Sequence, residues 1–363
     1  MPWHFLTRTA LVVILWSLAY SFACAQSNQP LRQTFEVSLN GNRVEGMPLA
    51  WTREVVFLLG RDGMMYDFAP GSAKDFRQVR PDFQPYPATV MKSRLEAELG
   101  SRYTVTATGM FLVAHPVGKQ HWAERFEELY RSFVTYFQVR GFELATPEFP
   151  MIAVVFERQQ DFMQYAAAQG MPANDQVLGC YFLASNRVAL YDFDAGKQAN
   201  ATQNLATIVH EALHQVAFNT GIHQRWSPPP RWVAEGLGTL FEAPGIWDAR
   251  NHPRAEDRIN LQRLADYRAN QKDRSPDRLA KLLSSDRPFE TSAIAAYAEA
   301  WALTYYLVET QPREYARYLE LTASRPPFTL YSNQERYKDF VEVFGNDLRM
   351  FDARFQRFMS EVK

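Results

Sequence analysis

Between residues 204 and 218, apolar side chains recur at helical spacing (Leu205, Ile208, Val209, Leu213, Val216, Ala217). Into this stripe the chain sets His210, Glu211 and His214. No other feature constrains the fold so tightly. On a helix, positions i and i+4 lie about 40° apart around the axis, so both imidazoles face the same way from one surface. A buried surface carrying two histidines and a carboxylate needs a partner that satisfies them. Two neutral imidazoles at about 2 Å make half of a tetrahedral metal site, and zinc is the ion that suits such donors. Glu211 is aimed beside that metal, where it can accept a proton from a bound water. One zinc ion per chain is expected, with His210 and His214 as ligands.

A third ligand is needed, and the candidates downstream are His223, Glu235, Glu242 and His252. The metzincin spacing would require glycine at 217 and histidine at 220, where this chain has Ala217 and Thr220. Glu235 is better placed. Pro228-Pro229-Pro230 closes the intervening loop, and a second helix starts near Arg231, so Glu235 falls in or just after its first turn. Gly236 and Gly238 follow, each costing a helix about 1 kcal/mol relative to alanine. That cost is accepted where two backbones approach closely, here the second helix against the first. Each metal histidine also needs an acceptor for its other ring N–H. Asn219 and Glu242 are the candidates for that role.

These strings carry a resemblance. His210-Glu211-Ala212-Leu213-His214-Gln215, then Asn219, then Trp232-Val233-Ala234-Glu235-Gly236-Leu237-Gly238-Thr239 with Glu242, resemble the core of the aminopeptidase-type gluzincins. With Phe218-Asn219-Thr220-Gly221 the chain is also similar to a largely uncharacterised bacterial family of the peptidase MA clan. The likeness covers about residues 203–310 and departs from the pattern at Gly238 and in a longer, proline-rich loop. It implies a zincin-like catalytic domain, with a small sheet whose edge strand precedes the metal helix. It also implies an oxyanion-stabilising tyrosine about sixty residues beyond the third ligand. Tyr297 fits that place, in Tyr297-Ala298-Glu299-Ala300-Trp301, with Tyr305 as the alternative; both also lie on an apolar stripe with Trp301. The edge strand maps to the hairpin at residues 179–192, which an extended peptide could join by strand addition.

The rest of the chain frames this centre. Residues 1–25 read as an export signal: Arg8 near the start, an apolar run over residues 10–22 and Ala23-Cys24-Ala25 at the cleavage point. After cleavage only Cys180 remains, so no internal disulfide can form, and Cys180 reads as a small buried apolar residue. Residues 26–80 read as a small β module with a turn at Asn40-Gly41-Asn42, residues 81–90 as a proline-marked linker, and residues 91–363 as the catalytic domain. Within that domain a strand is expected over residues 103–114, a helix over residues 121–139, a buried strand over residues 151–156 and helices after Gly196. Strands first and helices afterwards make an α+β fold, not a doubly wound parallel sheet.

The expected activity is zinc-dependent hydrolysis of a peptide or protein, with Glu211 as base and Tyr297 as oxyanion donor. The aminopeptidase pattern carries a glutamate on the edge strand for the substrate's free ammonium. The corresponding Gly179-Cys180-Tyr181-Phe182-Leu183 has no carboxylate before Asp192, so internal cleavage is favoured over aminopeptidase action. Two other readings stay open: an inactive scaffold of the same fold, and hydrolysis of a non-peptide amide or ester. A net charge of −1 gives no reason to expect nucleic acid as partner. No membrane span is expected after signal cleavage, and the location expected is periplasmic or secreted.

Overall fold

The computed structural model of the chain describes residues 32–172, 177–192 and 201–363. The segment read as an export signal lies outside the described residues.

The first sheet is antiparallel throughout. It is built from β1 (Thr34–Leu39), β2 (Asn42–Trp51), β3 (Val56–Gly60), β4 (Met65–Phe68) and β5 (Lys74–Arg80) in the order β4-β3-β2-β1-β5. β1 and β2 turn at Asn40 and Gly41, both at positive φ (51° and 82°), the conformation that an Asn-Gly pair tolerates.

The second sheet is mixed. α1 (Ala88–Leu99) precedes β6 (Tyr103–Ala107) and β7 (Phe111–Pro116). Then come α2 (His121–Gln138), β8 (Met151–Phe156), α3 (Gln159–Ala168), β9 (Gly179–Phe182) and β10 (Arg187–Tyr191). The order is β6-β7-β8-β10-β9, with β8 parallel to both β7 and β10 and the outer strands antiparallel. The single strand expected over residues 103–114 is thus a hairpin. Its turn at Gly109 is held by Glu127, whose carboxylate accepts from the Thr108 hydroxyl at 2.8 Å and the Met110 N–H at 3.1 Å. β8 is buried on both faces, which explains its unbroken apolar run. Met151, Ala153 and Val155 face the core of α2 and the later helices, while Ile152, Val154 and Phe156 face that of α1 and α3. Cys180 packs in the second of these cores.

Ten helices follow among the described residues: α4 (Ala201–Asn219), α5 (Arg231–Phe241), α6 (Pro244–Trp247), α7 (Leu261–Ala269), α8 (Arg278–Ser284), α9 (Arg287–Thr291), α10 (Ala293–Thr310), α11 (Pro312–Ala323), α12 (Asn333–Phe344) and α13 (Leu348–Glu361). The architecture is α+β, a β-sheet module followed by a mostly helical region. Among the described residues no helix is long and apolar enough to cross a membrane.

The stretch read as a linker is fastened down. α1 already begins at Ala88, Phe83 is buried with Met47, Leu59 and Phe149, and the Tyr86 N–H donates to the Arg61 carbonyl at 2.7 Å. Apolar burial and backbone bonding outweigh the local signal of three prolines. A second seam joins the two sheets. The buried Arg225 guanidinium donates to the carbonyls of Gly63, Leu183 and Ala184 at 2.8–2.9 Å, and the Met65 N–H donates to the Ala184 carbonyl at 2.8 Å.

Candidate metal centre

α4 lies against the second sheet, where Thr207 and Glu211 sit over Gly179 of β9 and Gln215 donates to the Ile152 and Asn186 carbonyls, while Val209, Ala212 and Val216 are buried in the main core. That packing turns His210, Glu211 and His214 toward α5 and the edge strand β9, and all three are buried. α5 starts at Arg231 as expected and brings Glu235 to the two histidines. His210 Nε2 lies 3.0 Å from His214 Nε2 and 3.2 Å from Glu235 Oε2, and His214 Nε2 lies 3.5 Å from that oxygen. Donors on a tetrahedral ion with bonds of about 2.0–2.1 Å are about 3.3 Å apart, so a triangle of this size can hold a metal ion.

The protonation chemistry points the same way. His210 Nδ1 faces Glu242 Oε1 at 2.9 Å and carries a proton there, which leaves Nε2 as the ring nitrogen that faces the cluster. Burial opposes charging His210, but the carboxylates of Glu235 and Glu242 outweigh it and lift its pKa to about 10. Burial likewise opposes ionising Glu235, yet His210, His214 and Arg231 hold its carboxyl well below the usual range. Acceptors that hold a proton this firmly suit a cation. The buried group His210, His214 and Glu235 can hold a metal ion.

Glu242 is supported in turn. Asn260 Nδ2 donates to its Oε2 at 2.7 Å, and Arg263 lies 3.7 Å from Oε1. Glu242 thus accepts from the ring nitrogen of His210 that faces away from the cluster. Asn219 does something else. Its amide forms a reciprocal pair with Asn186 at 2.7 and 2.8 Å, tying the end of α4 to the β9–β10 turn. Asn186 also accepts from the Tyr181 hydroxyl at 2.8 Å. The two glycines of α5 divide their duties as well. A Cβ on Gly238 would lie 2.8 Å from the His210 ring, so α5 does press on the metal helix there. A Cβ on Gly236 would lie 2.7 Å from the Ala300 carbonyl, so this glycine admits α10 and not α4.

A family model described as a protein of unknown function (DUF1570) matches residues 204–329. Among curated proteins none matches the chain. The span matched to DUF1570 holds every side chain of the cluster, Glu242 and Tyr297, but not β9.

β9 is the last strand of its sheet among the described residues, and it runs beside Glu211. The Tyr181 N–H donates to Glu211 Oε2 at 2.8 Å. Glu211 Oε1 is buried with no hydrogen-bond partner among the described residues. Burial raises the Glu211 pKa, although both imidazoles act to lower it. All four residues of β9 are buried and the Tyr181 N–H is already engaged, so this strand is not an open platform along its length.

Tyr297, one turn into α10, stands beside this group. Arg231 Nη2 donates to its hydroxyl at 3.4 Å and Arg231 Nε to Glu235 Oε1 at 3.3 Å. Burial and the charge of Glu235 raise the Tyr297 pKa, so the phenol keeps its proton. Tyr305 stacks on Trp301 at 5.5 Å, and the charges acting on it are Glu309 and Arg258, away from the cluster. His223 is buried with Nδ1 3.0 Å from the Ile222 carbonyl, and His252 sits 3.9 Å from Asp248 at the surface; neither joins the group. Arg231 marks the start of α5 in the sequence, but no motif there points to its contacts with Glu235 and Tyr297. Its spacing of four residues before Glu235 was the available signal. The Tyr181 backbone contact has no side-chain signal at all.

Proposed function

We propose that this protein is a zinc-dependent hydrolase, most simply a peptidase of the gluzincin type on a zincin-like domain, with zinc on His210, His214 and Glu235. The observation that carries the reading is Glu211. One of its oxygens is held by the Tyr181 N–H, and the other is buried, without a partner among the described residues, next to three converging side chains that can hold a metal. A purely structural metal site has no use for such a group, whereas hydrolysis requires one.

Bound zinc would acidify its water and polarise a substrate carbonyl. Glu211 Oε1 accepts a proton from the attacking water and returns it to the leaving nitrogen. Tyr297, protonated and beside Glu235, donates to the carbonyl oxygen as it gains charge. Glu242 keeps His210 in the tautomer that presents Nε2.

Internal cleavage is the favoured mode. β9 supplies no carboxylate to meet a free ammonium, and Asp192, beyond β10, is 3.7 Å from Lys119. The proposed setting is outside the cytoplasm, in the periplasm or secreted, with peptides or proteins as substrates.

The test is a peptide-library cleavage profile of the zinc-loaded protein, followed by one cleaved peptide and its N-acetylated twin. The twin should be cut at a similar rate. Loss of cleavage on acetylation would mean that the site reads a free amine, and absence of any amide hydrolysis would remove the proposal.

A further inference from the structure

One residue joins Glu235 to Tyr297. Arg231 is the first residue of α5. Its backbone N–H donates to Asp286 Oδ1 at 3.0 Å, and that oxygen is held from α12 by Arg336 at 2.8 Å. The guanidinium lies 4.8 Å from the centre of the Phe289 ring. The backbone at Arg231 and the ring beneath its side chain thus hold the residue in place beside the site. From there Nε donates to Glu235 Oε1 and Nη2 to the Tyr297 hydroxyl.

We infer that Arg231 is the positioning residue of this centre, assigning one Glu235 oxygen to the metal and directing the Tyr297 hydroxyl proton toward the substrate; the inference rests on the metallohydrolase reading. Two arguments carry it. Glu235 has two oxygens with different duties: Oε2 faces both histidines, and Oε1 is occupied by Arg231. With Oε1 held by Arg231, Oε2 is the oxygen that the carboxylate would offer to a metal. The second argument concerns the phenol. A guanidinium carries donors only, so the Tyr297 oxygen must accept from it and the hydroxyl proton must point elsewhere. Without Arg231 the nearby Glu235 carboxylate would compete for that proton. Tyr297 would then donate to a ligand oxygen and not to substrate.

An ordinary pair four residues apart on an exposed helix contributes only a few tenths of a kcal/mol and would touch neither duty. Here Glu235 is fully buried, and the same guanidinium serves two partners on different helices.

The experiment uses the full mature protein with Arg231→Gln and Arg231→Lys, each alone and with Tyr297→Phe. Zinc affinity is measured by competition with a chelator, and kcat on a peptide that the wild type cleaves. Arg231→Gln should weaken zinc binding by about 10–100-fold, the usual cost of losing a group that orients a ligand. Arg231→Lys, which keeps the charge but not the fork, should lose less. The kcat loss from Arg231→Gln should shrink to less than about threefold when Tyr297 is already phenylalanine. Zinc affinity within about twofold of wild type in Arg231→Gln, or a kcat loss undiminished in the Tyr297→Phe background, overturns the inference and leaves the hydrolase reading standing. Failure of the wild type to bind zinc overturns both. Should Arg231→Gln not fold, Arg231→Lys decides, because an affinity equal to wild type would show that the fork is not needed.

Discussion

Helix α10 carries two buried polar clusters within three residues of each other, and they are completed differently. Around Glu299, every charge has a counter-charge within the protein. Arg274 Nη2 lies 2.6 Å from Glu299 Oε1 and 2.7 Å from Asp352 Oδ1, and Arg278 adds a longer contact of 3.6 Å. Around Tyr297 the balance is left open. Two imidazole nitrogens and two carboxylates converge there with fewer donors than acceptors, and Glu211 Oε1 has no partner among the described residues. Buried polar groups are normally satisfied. A closed cluster therefore reads as a fastening, here between α13 and α10, and an open one as a place where something from outside completes the set.

The largest effect expected from this contrast is on the closed side. Arg274→Met strips two carboxylates of their partner and should cost about 3–5 kcal/mol of unfolding free energy, with zinc affinity unchanged. Chemical denaturation of the metal-free protein measures the first and chelator competition the second. A stability loss accompanied by a matching loss of zinc would mean that the two clusters are one.

Tyr297→Phe should do the reverse. Removing one oxyanion donor costs about 10²–10³ in kcat, or about 2.7–4 kcal/mol in the barrier. The fold should be spared, because the ring and its packing on Phe289 remain. A neutral Tyr297→Phe beside a crippled Tyr305→Phe would exchange their roles, against the positions described above.

Glu242→Gln leaves His210 an acceptor without charge and should weaken zinc by about 10–100-fold. Glu235→Ala should weaken it further than Glu242→Ala does. The smallest effect concerns protons. With a pKa of about 10 in the metal-free cluster, His210 holds a proton that an entering ion must displace. Zinc affinity should therefore rise as pH rises, by about tenfold per unit below pH 10, with proton release detectable by calorimetry in buffers of different ionisation heat. Affinity independent of pH would contradict the assigned protonation.

Much of the open cluster was legible because its residues obey local geometry. His210 and His214 share a face by helical spacing, and the triple proline marks where α5 begins. The division of glycine duties was not legible. Gly236 meets Ala300, a residue far along the chain, and only the tertiary packing of α5 on α10 reveals it. Asn219 failed for a related reason. Its partner Asn186 sits on a turn that comes beside α4 only once the sheet has formed. The hairpin at β6–β7 was hidden because Thr104, Thr106 and Thr108 continue the alternation into the turn. The strand order of both sheets likewise depends on contacts that no local pattern contains.

The central claim is that Glu211 is a base beside a metal and not part of a metal-holding scaffold. Zinc content and peptide turnover measured on the same preparations of wild type, Glu211→Gln and His210→Ala test it most directly. The account predicts one zinc per chain in wild type and Glu211→Gln, none in His210→Ala, and turnover lower by about 10² or more in Glu211→Gln. Undiminished turnover in Glu211→Gln, or activity in a wild type without metal, would contradict it.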